Sequence, residues 1–231
     1  MSKAIIKFTN KLGNNYPIDP PVSASKLVPD WYKNTQSYVG GEKKPDGQGG
    51  ISGTIKRCIP VFDAITAGYI ITSPCDVYVS QKEGIPYYEW SSLDIISFHP
   101  IEQAPEHPAK NGFSYPKWMN PWAIRTPKGY SVSFMQPVHR ESVFKILEGV
   151  VDTDNYTAPV NFPFVLTDPT FEGLIPVGTP IAQVVPFKRE SWTMEIGSEE
   201  DHKQQTSVTQ KLQTKFFDRY KTIFWQRKEY K

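Results

Sequence analysis

Short apolar runs recur along the middle of the chain, from about Thr54 to about Glu195. They are rich in β-branched and aromatic residues, and Gly, Pro, Asn or Asp bounds each one. This pattern is typical of short strands joined by turns, and it predicts a mostly β domain of the barrel or sandwich kind. The nine runs read CIPVFDAI, GYIIT, CDVYVS, DIISF, WAIRT, YSVSFMQ, VFKILEGVV, NFPFVL and IAQVVPF.

The N-terminal part of the chain has a different pattern. Residues 4–8 predict one short strand, and Tyr16–Pro29 holds four prolines, which indicates extended chain laid over a surface. Residues 40–53, GGEKKPDGQGGISG, have the composition of a flexible linker. We therefore predict three parts: an extended arm and linker over residues 1–53, a β domain over 54–196, and a separate C-terminal segment over 197–231.

The C-terminal segment is predicted to be an amphipathic helix. From Ser198 to Lys231 the chain has no Gly or Pro and is rich in Lys, Gln and Glu. Apolar residues recur every three to four positions, which is the spacing of one helix face. We expect this stripe to be buried against a partner or against the rest of the chain; it consists of Val208, Leu212, Phe216, Tyr220 and Ile223 or Phe224.

Trp31 and Tyr32 form an aromatic pair just after a predicted helix start at Pro29 and Asp30. The pair docks the arm either on its own domain or on a neighbouring molecule, and self-docking has more weight because aromatic side chains favour burial. The residues that we predict to bind a partner are Trp31, Tyr32, Leu212, Phe216, Tyr220 and Phe224.

Composition narrows the classes of function. Hydrophobic residues make up 39% and aromatic residues 13% of the chain, which is enough for a substantial core and excludes wholesale disorder. A formal net charge of +2 does not predict general nucleic-acid binding. No run approaches the ~20 apolar residues of a membrane span, and no apolar signal segment follows Met1. We therefore expect a cytoplasmic protein, or a virion protein if a phage encodes it. Cys58 and Cys75 predict ordinary thiols, with no metal site.

Four segments carry motifs. Ala67–Tyr69 leads to Pro74–Tyr78, and Trp122–Val132 contains the turn Pro127-Lys128-Gly129 between two apolar runs. Proline fixes φ and glycine accepts a positive φ, so this turn predicts a hairpin. The more distinctive segments are the third and fourth, Glu148–Tyr156 (EGVVDTDNY) and Gly173–Val185 (GLIPVGTPIAQVV).

In this order, the four segments resemble those of the dUTPase and dCTP deaminase superfamily, and the chain looks closer still to an uncharacterised family of bacterial and phage proteins. The resemblance implies a dUTPase-like β-clip fold and a homotrimer. It also implies that Asp152 orders an attacking water, that Tyr156 stacks under a deoxyribose, and that Asp154 is a second candidate carboxylate. Further candidates for substrate binding are His139, Arg140 and Gln183.

Three departures from the family pattern weigh against catalysis. Asn155 adds a residue before Tyr156, which can shift the register of a tight hairpin turn. The loop Met135–Ser142 has no Gly, so its backbone N–H groups approach a phosphate less easily. A predicted helix stands where the enzymes have a glycine-rich C-terminal arm. Asp and Asn in a turn also cap their own backbone without any catalytic role.

We therefore expect a non-catalytic structural or binding protein, without cofactor or metal, that forms a homo-oligomer or joins other subunits of an assembly such as a phage virion. The alternative is a Mg²⁺-dependent deoxynucleoside triphosphate hydrolase or a nucleotide sensor. Ligand recognition by exposed Trp118 and Trp122 is a weaker third hypothesis, based on aromatic composition alone.

Overall fold

The computed structural model describes residues 4–13, 18–45, 51–91, 94–103, 114–213 and 220–231. The described chain is mostly β, with antiparallel sheets and a short C-terminal helix. It divides into two compact units, and each of them is discontinuous in sequence. The first comprises Met1–Leu27, Ala67–Arg189 and Tyr230, and the second comprises Val28–Thr66, Glu190–Glu229 and Lys231.

The strands of the described ranges all belong to the first unit. They are β1 (Lys7–Asn10), β2 (Val22–Ser23), β3 (Tyr69–Thr72), β4 (Val77–Lys82), β5 (Ile85–Trp90), β6 (Ile96–His99), β7 (Tyr115–Trp118), β8 (Trp122–Arg125), β9 (Tyr130–Met135), β10 (Phe144–Ile146), β11 (Gly149–Val151), β12 (Phe162–Leu166), β13 (Gly173–Ile175) and β14 (Pro180–Lys188).

These strands pair in antiparallel sheets. The largest has the order β11-β9-β14-β3-β2, and the second has the order β10-β12-β7-β6. A third sheet has the order β13-β4-β5, and β1 pairs with β8. The strands of the N-terminal arm, β1 and β2, are therefore built into the sheets of the first unit.

Period-two alternation explains why these segments form strands around a core. In β4, Val77 and Val79 are fully buried, whereas Tyr78 between them is half exposed. Alternation of this kind puts the apolar side chains of a strand on one face of its sheet. Eight of the nine predicted runs contain strands, which confirms those predictions, and the run VFKILEGVV forms two strands, β10 and β11.

Aromatic side chains form the centre of the core. Trp118 stacks on Phe164 with ring centroids 5.2 Å apart, and Phe144 packs against both rings. Trp122 belongs to the same cluster of buried residues. The hypothesis that Trp118 and Trp122 form an exposed ligand surface is therefore wrong, because both indoles contribute to the core.

The motif Ala67–Tyr69 brings β3 against β14. Gly68 has a φ of +68°, and a Cβ atom at this position would overlap the carbonyl oxygen of Val184, so only glycine fits. The side-chain amide of the neighbouring Gln183 donates to the carbonyl of Ala67 at 2.8 Å and accepts from the N–H of Val138 at 3.1 Å. Close packing therefore fixes this part of the motif.

The run CIPVFDAI is the exception among the nine, because it forms a helix in the second unit. This helix is α2 (Ile59–Thr66), and it follows the short helix α1 (Asp30–Asn34). An apolar run of this length cannot be distinguished from a buried helix by periodicity alone. Pro60 lies in the first turn, where the N–H that proline lacks has no partner within a helix.

Tyr32 of α1 is buried within the second unit. Its ring stacks on Phe62 with centroids 6.3 Å apart, and its hydroxyl donates to the carbonyl of Lys56 at 3.1 Å. The ammonium group of Lys56 lies 4.6 Å from the centre of the same ring. Tyr32 thus packs against its own chain, as the self-docking alternative predicts. Trp31 is 42% exposed, and its contact with a partner stays a prediction.

The C-terminal part of the second unit contains α3 (Glu199–Gln213) and a π-helical turn at Tyr220–Phe224. Helix α3 confirms a helix in this segment. Within the stripe, Val208, Tyr220 and Phe224 are 39–44% exposed, and the side chains of Leu212 and Phe216 lie outside the described part of the chain. None of the helices in the described ranges has the length and apolar character of a membrane span.

Asp63 of α2 ties this helix to the end of the chain. Its carboxylate accepts hydrogen bonds from Trp225 Nε1 at 2.9 and 3.0 Å, and it pairs with Lys228 Nζ at 2.6 Å. The segment predicted as a linker also makes ordered contacts in this unit, since Tyr38 bridges to Gly53 and Pro45 to Ile51 in antiparallel fashion. Its flexibility stays a prediction.

Candidate functional site

The third motif, Glu148–Tyr156, forms a turn that packs on the hairpin of the second motif. Strand β11 pairs with β9, and the chain then turns back through residues 152–156. The N–H groups of Asn155 and Tyr156 both donate to the carbonyl of Asp152, at 3.0 and 2.9 Å. Thr153 is fully buried, and its hydroxyl lies 2.7 Å from that of Thr126. Backbone and hydroxyl hydrogen bonds therefore fix this turn.

Arg189 binds both candidate carboxylates. Its guanidinium donates to Asp154 at 2.9 Å through Nη1 and at 2.5 Å through Nη2, a two-pronged contact. Nη1 also lies 3.1 Å from Asp152 Oδ1 and contacts the Ser131 hydroxyl at 3.1 Å. Arg189 follows β14 directly, and its own N–H donates to the carbonyl of Gly129 at 2.8 Å. One side chain thus joins the end of β14 to the turn.

The two carboxylates differ in environment. The side chain of Asp154 is only 3% exposed, and it also accepts the N–H of Gly129 at 2.8 Å. The hydrogen bonds from Arg189 and from Gly129 lower the pKa of Asp154 to about 2. The side chain of Asp152 is 59% exposed and accepts the hydroxyl of Ser131 at 2.6 Å. Asp154 is thus a weak base, held in the ionised form by its partners.

A pocket of about 460 Å³ lies beside this turn. Its lining includes the cationic residues Arg125 and Lys128, and also Asn155, the extra residue of the motif. Tyr156 follows Asn155 and is 49% exposed. The full lining is Arg125, Thr126, Pro127, Lys128, Gly129, Asp154, Asn155 and Arg189.

The other candidate residues lie at the opposite end of β9. Asp152 contacts Ser131 near the start of this strand, whereas Gln183 is paired with Met135 at its end. Ser131 and Met135 are four positions apart along the strand, which corresponds to about 14 Å at ~3.4 Å per residue. His139 and Arg140 follow in the loop beyond Met135. Within one chain, the candidate carboxylates and the candidate phosphate-binding residues are therefore not brought together.

Gln183 and Arg140 have contrasting environments in that region. Gln183 is 1% exposed, and its amide holds Ala67 and Val138, as described above. Arg140 has two buried guanidinium nitrogens, Nε and Nη2, without a hydrogen-bond partner among the described residues. Burial lowers the pKa of this guanidinium. His139 beside it is exposed, with a φ of +54°, an uncommon conformation for a residue other than glycine.

A Mg²⁺ site of the kind that the resemblance implies does not fit these carboxylates. Asp152 and Asp154 share one guanidinium, so a cation would have to displace Arg189 from both of them. In the described ranges, no cluster of three or more His, Cys, Asp or Glu side chains has the arrangement of a metal site.

Arg189 and Ser131 were not predicted as site residues, although Ser131 lies within the second motif. Arg189 lies after the last apolar run, and its partners Asp152 and Asp154 are more than thirty positions earlier. The signal that could have found it is register: β14 pairs with β9 so that Lys188 faces Tyr130, which brings the next residue to the turn. That register depends on the tertiary fold.

The fold and the site together define an antiparallel β protein with an ion-paired turn. No protein-family model matches the chain, and a search of curated proteins finds no match. The dUTPase-like resemblance therefore depends on the four motifs alone.

Proposed function

We propose that this protein is a non-catalytic structural or binding protein with a dUTPase-like β-clip fold, which assembles with copies of itself or with other subunits, as in a phage virion. The observation that carries the proposal is the occupation of both candidate carboxylates by Arg189. A general base must accept a proton or orient a water with its lone pairs. Both oxygens of Asp154 accept hydrogen bonds from Arg189, and Asp152 Oδ1 accepts one from Ser131 and lies 3.1 Å from Arg189 Nη1.

Exposed apolar side chains support the assembly part of the proposal. Trp31 is 42% exposed, and Tyr220 and Phe224 of the predicted partner-binding set are 44% and 41% exposed. Apolar side chains that group on a surface mark contacts with other molecules, and Tyr220 and Phe224 lie four positions apart in one helical turn. All three residues belong to the second unit.

A nucleotide hydrolase or sensor is the second candidate, and Arg140 is the observation that favours it. Its Nε and Nη2 atoms, which lack partners among the described residues, form one edge of the guanidinium. In proteins generally, this edge of an arginine can bind an oxyanion with two parallel hydrogen bonds. In this candidate function, Arg140 and His139 contact phosphates, while Asp152 places a water and Tyr156 stacks on the sugar. It requires Asp152 to leave Arg189 or to act while bound to it.

Two measurements on the purified chain separate these functions. We expect light scattering after size exclusion to give an oligomer, and a panel of deoxynucleoside triphosphates with Mg²⁺ to give neither pyrophosphate nor a shift in Tm. Release of pyrophosphate that Asp152→Asn abolishes would establish the hydrolase instead. A monomer at every concentration would contradict assembly with copies of itself.

A further inference from the structure

The segment that follows β14 exposes large apolar side chains at alternating positions. Trp192, Met194 and Ile196 are 86%, 87% and 91% exposed. Single exposed apolar residues are ordinary on protein surfaces, but three in five positions form a patch. Alternation with a period of two is also the pattern of a strand that buries one side.

The backbone of this segment is unpaired as well. Residues 191–197 have no regular secondary structure and make no hydrogen bond to any other residue of the described chain. The segment is therefore not held to the described part of its own chain, which leaves its apolar side chains available to another molecule. We call residues 192–196 the docking segment.

The first unit carries a complementary apolar surface on its three-stranded sheet. The inner face of this sheet is core: Val77, Val79 and Ile175 are at most 1% exposed. The outer face, by contrast, carries four large apolar side chains among the polar ones that an antiparallel sheet usually presents to water, and Lys82 Nζ lies 3.5 Å from the centre of one of them, the Tyr87 ring. The four side chains are Tyr78, Ile85, Tyr87 and Leu174, which are 43–51% exposed.

Strand register puts these four side chains on one face. Leu174 of β13 is paired with Tyr78 of β4, and Tyr87 and Ile85 of β5 are paired with Ser80 and Lys82, which share the face of Tyr78. Three strands are about 10 Å wide, and five residues of extended chain span about 14 Å, so the two surfaces match in size. We call Tyr78, Ile85, Tyr87 and Leu174 the sheet patch.

We propose that the docking segment of one copy of this chain binds the sheet patch of a second copy. This inference rests on the proposed assembly function and names its interface. Burying the three side chains of the segment removes on the order of 400 Å² from water, about half of the ~800 Å² that each partner contributes to a standard interface. A subunit that both donates its segment and receives another takes part in two such contacts.

A second copy is the occupant because both halves of the contact are present on the same chain. Donor and acceptor are different surfaces, so the contact is head-to-tail, and such contacts close into rings when the rotation per subunit allows it. A ring satisfies every segment and every patch. This is consistent with the homotrimer that the motif resemblance implies.

Variants of the docking segment test the donor. Trp192→Ser, Met194→Ser and Ile196→Ser together are expected to raise the dissociation constant at least tenfold, measured by light scattering over a range of concentrations. Ile5→Ser with Val39→Ser is the matched control, since these residues are 65% and 64% exposed and lie outside both surfaces. Because the altered residues are exposed, both variants are expected to fold, and circular dichroism spectra identical to that of the wild type would confirm this.

Mixing experiments test the acceptor. Tyr78→Ser with Leu174→Ser removes two adjacent side chains that belong to the sheet patch. Leu174→Lys alone replaces the double variant if that variant folds poorly. Each defective variant is expected to be monomeric by itself. The acceptor-defective variant keeps an intact docking segment, and the donor-defective variant keeps an intact sheet patch. A mixture of the two variants is therefore expected to form a heterodimer and nothing larger.

The outcomes separate this inference from the function on which it rests. If the wild type is an oligomer and the segment variant remains one, the docking segment does not form the contact, and the proposed assembly function is unaffected. If the segment variant dissociates but the mixture gives no heterodimer, the docking segment binds a surface other than the sheet patch. A wild type that is monomeric at all concentrations would overturn both the inference and self-assembly.

Discussion

At the scale of single residues, Arg189 decides what the third motif does. The motif offers two carboxylates at a turn, which in a hydrolase would face a water. Here the guanidinium that follows β14 occupies both of them, and the more buried one, Asp154, also accepts a backbone N–H. Ion pairs at low exposure hold a turn in place because a lone buried charge is costly.

We predict that Arg189→Gln lowers Tm by several degrees, because it leaves the carboxylate of Asp154 buried without its partner. Asp154→Asn in the same chain should restore part of the loss, since a neutral amide is less costly to bury. Thermal unfolding of the single and double variants measures this coupling. Arg125→Gln, which changes an exposed arginine near the same turn, should leave Tm nearly unchanged, and an equal loss there would contradict the role given to Arg189.

The depressed pKa of Asp154 predicts a pH dependence of stability. Its folded pKa of about 2 lies below its ordinary value of 3.8, so the folded state favours the ionised form. The resulting stabilisation is fully present above about pH 4 and is lost as the pH falls towards 2. Urea titrations at pH 5, 4 and 3 should show a steeper loss of unfolding free energy for the wild type than for Asp154→Asn. Parallel curves would exclude this carboxylate as the cause.

At the scale of elements, the contact between β3 and β14 lies in the middle of the largest sheet of the first unit. Strand β14 lies between β9 and β3 in the largest sheet, and it carries the chain from that contact to Arg189. Gly68 lets the turn before β3 approach the backbone of Val184 without a side chain between them. Strand β14 thus connects this contact, at Val184, with the ion-paired turn at Arg189.

Gly68→Ala is expected to destabilise the protein by more than about 3 kcal/mol, because the new methyl group overlaps a backbone carbonyl that cannot move alone. Gly84→Ala is the matched control: it has a similar φ of +77° but open space around it, so only the conformational cost of about 1–2 kcal/mol applies. Chemical denaturation of both variants gives the comparison. Equal losses would mean that backbone conformation, not the close approach, requires glycine at 68.

At the scale of the whole molecule, the chain builds two units from interleaved parts. The N-terminal arm contributes β1 and β2 to the first unit, so removing it would take strands out of two sheets. The second unit combines residues from the middle of the chain with its C-terminal part, joined by Asp63, Trp225 and Lys228. Point variants on exposed residues are therefore better probes of assembly than truncations.

Self-assembly predicts that Tm depends on protein concentration. Association stabilises the folded state by mass action, so Tm of the wild type should rise between about 1 µM and about 100 µM. The variant with Trp192, Met194 and Ile196 replaced by Ser should show no such rise if the docking segment carries the contact. Scanning calorimetry at several concentrations measures both, and a wild-type Tm independent of concentration would argue for a monomer.

The sequence by itself determined the β character of the chain, because alternating apolar residues and turn residues are local signals. It located eight of the strand-bearing runs, the C-terminal helix and the turn at residues 152–156. It failed for CIPVFDAI, since a short apolar run fits a strand and a buried helix equally well.

Only the tertiary structure decided which side chains meet. The pairing of β14 with β9 brings Arg189 to Asp152 and Asp154, and the same strand β9 separates these carboxylates from His139 and Arg140. Exposure is likewise a property of the folded chain: Trp118 is buried, whereas Trp192 lies almost entirely in solvent, although both are tryptophans. Contacts between residues far apart in sequence set both results, and no local pattern encodes them.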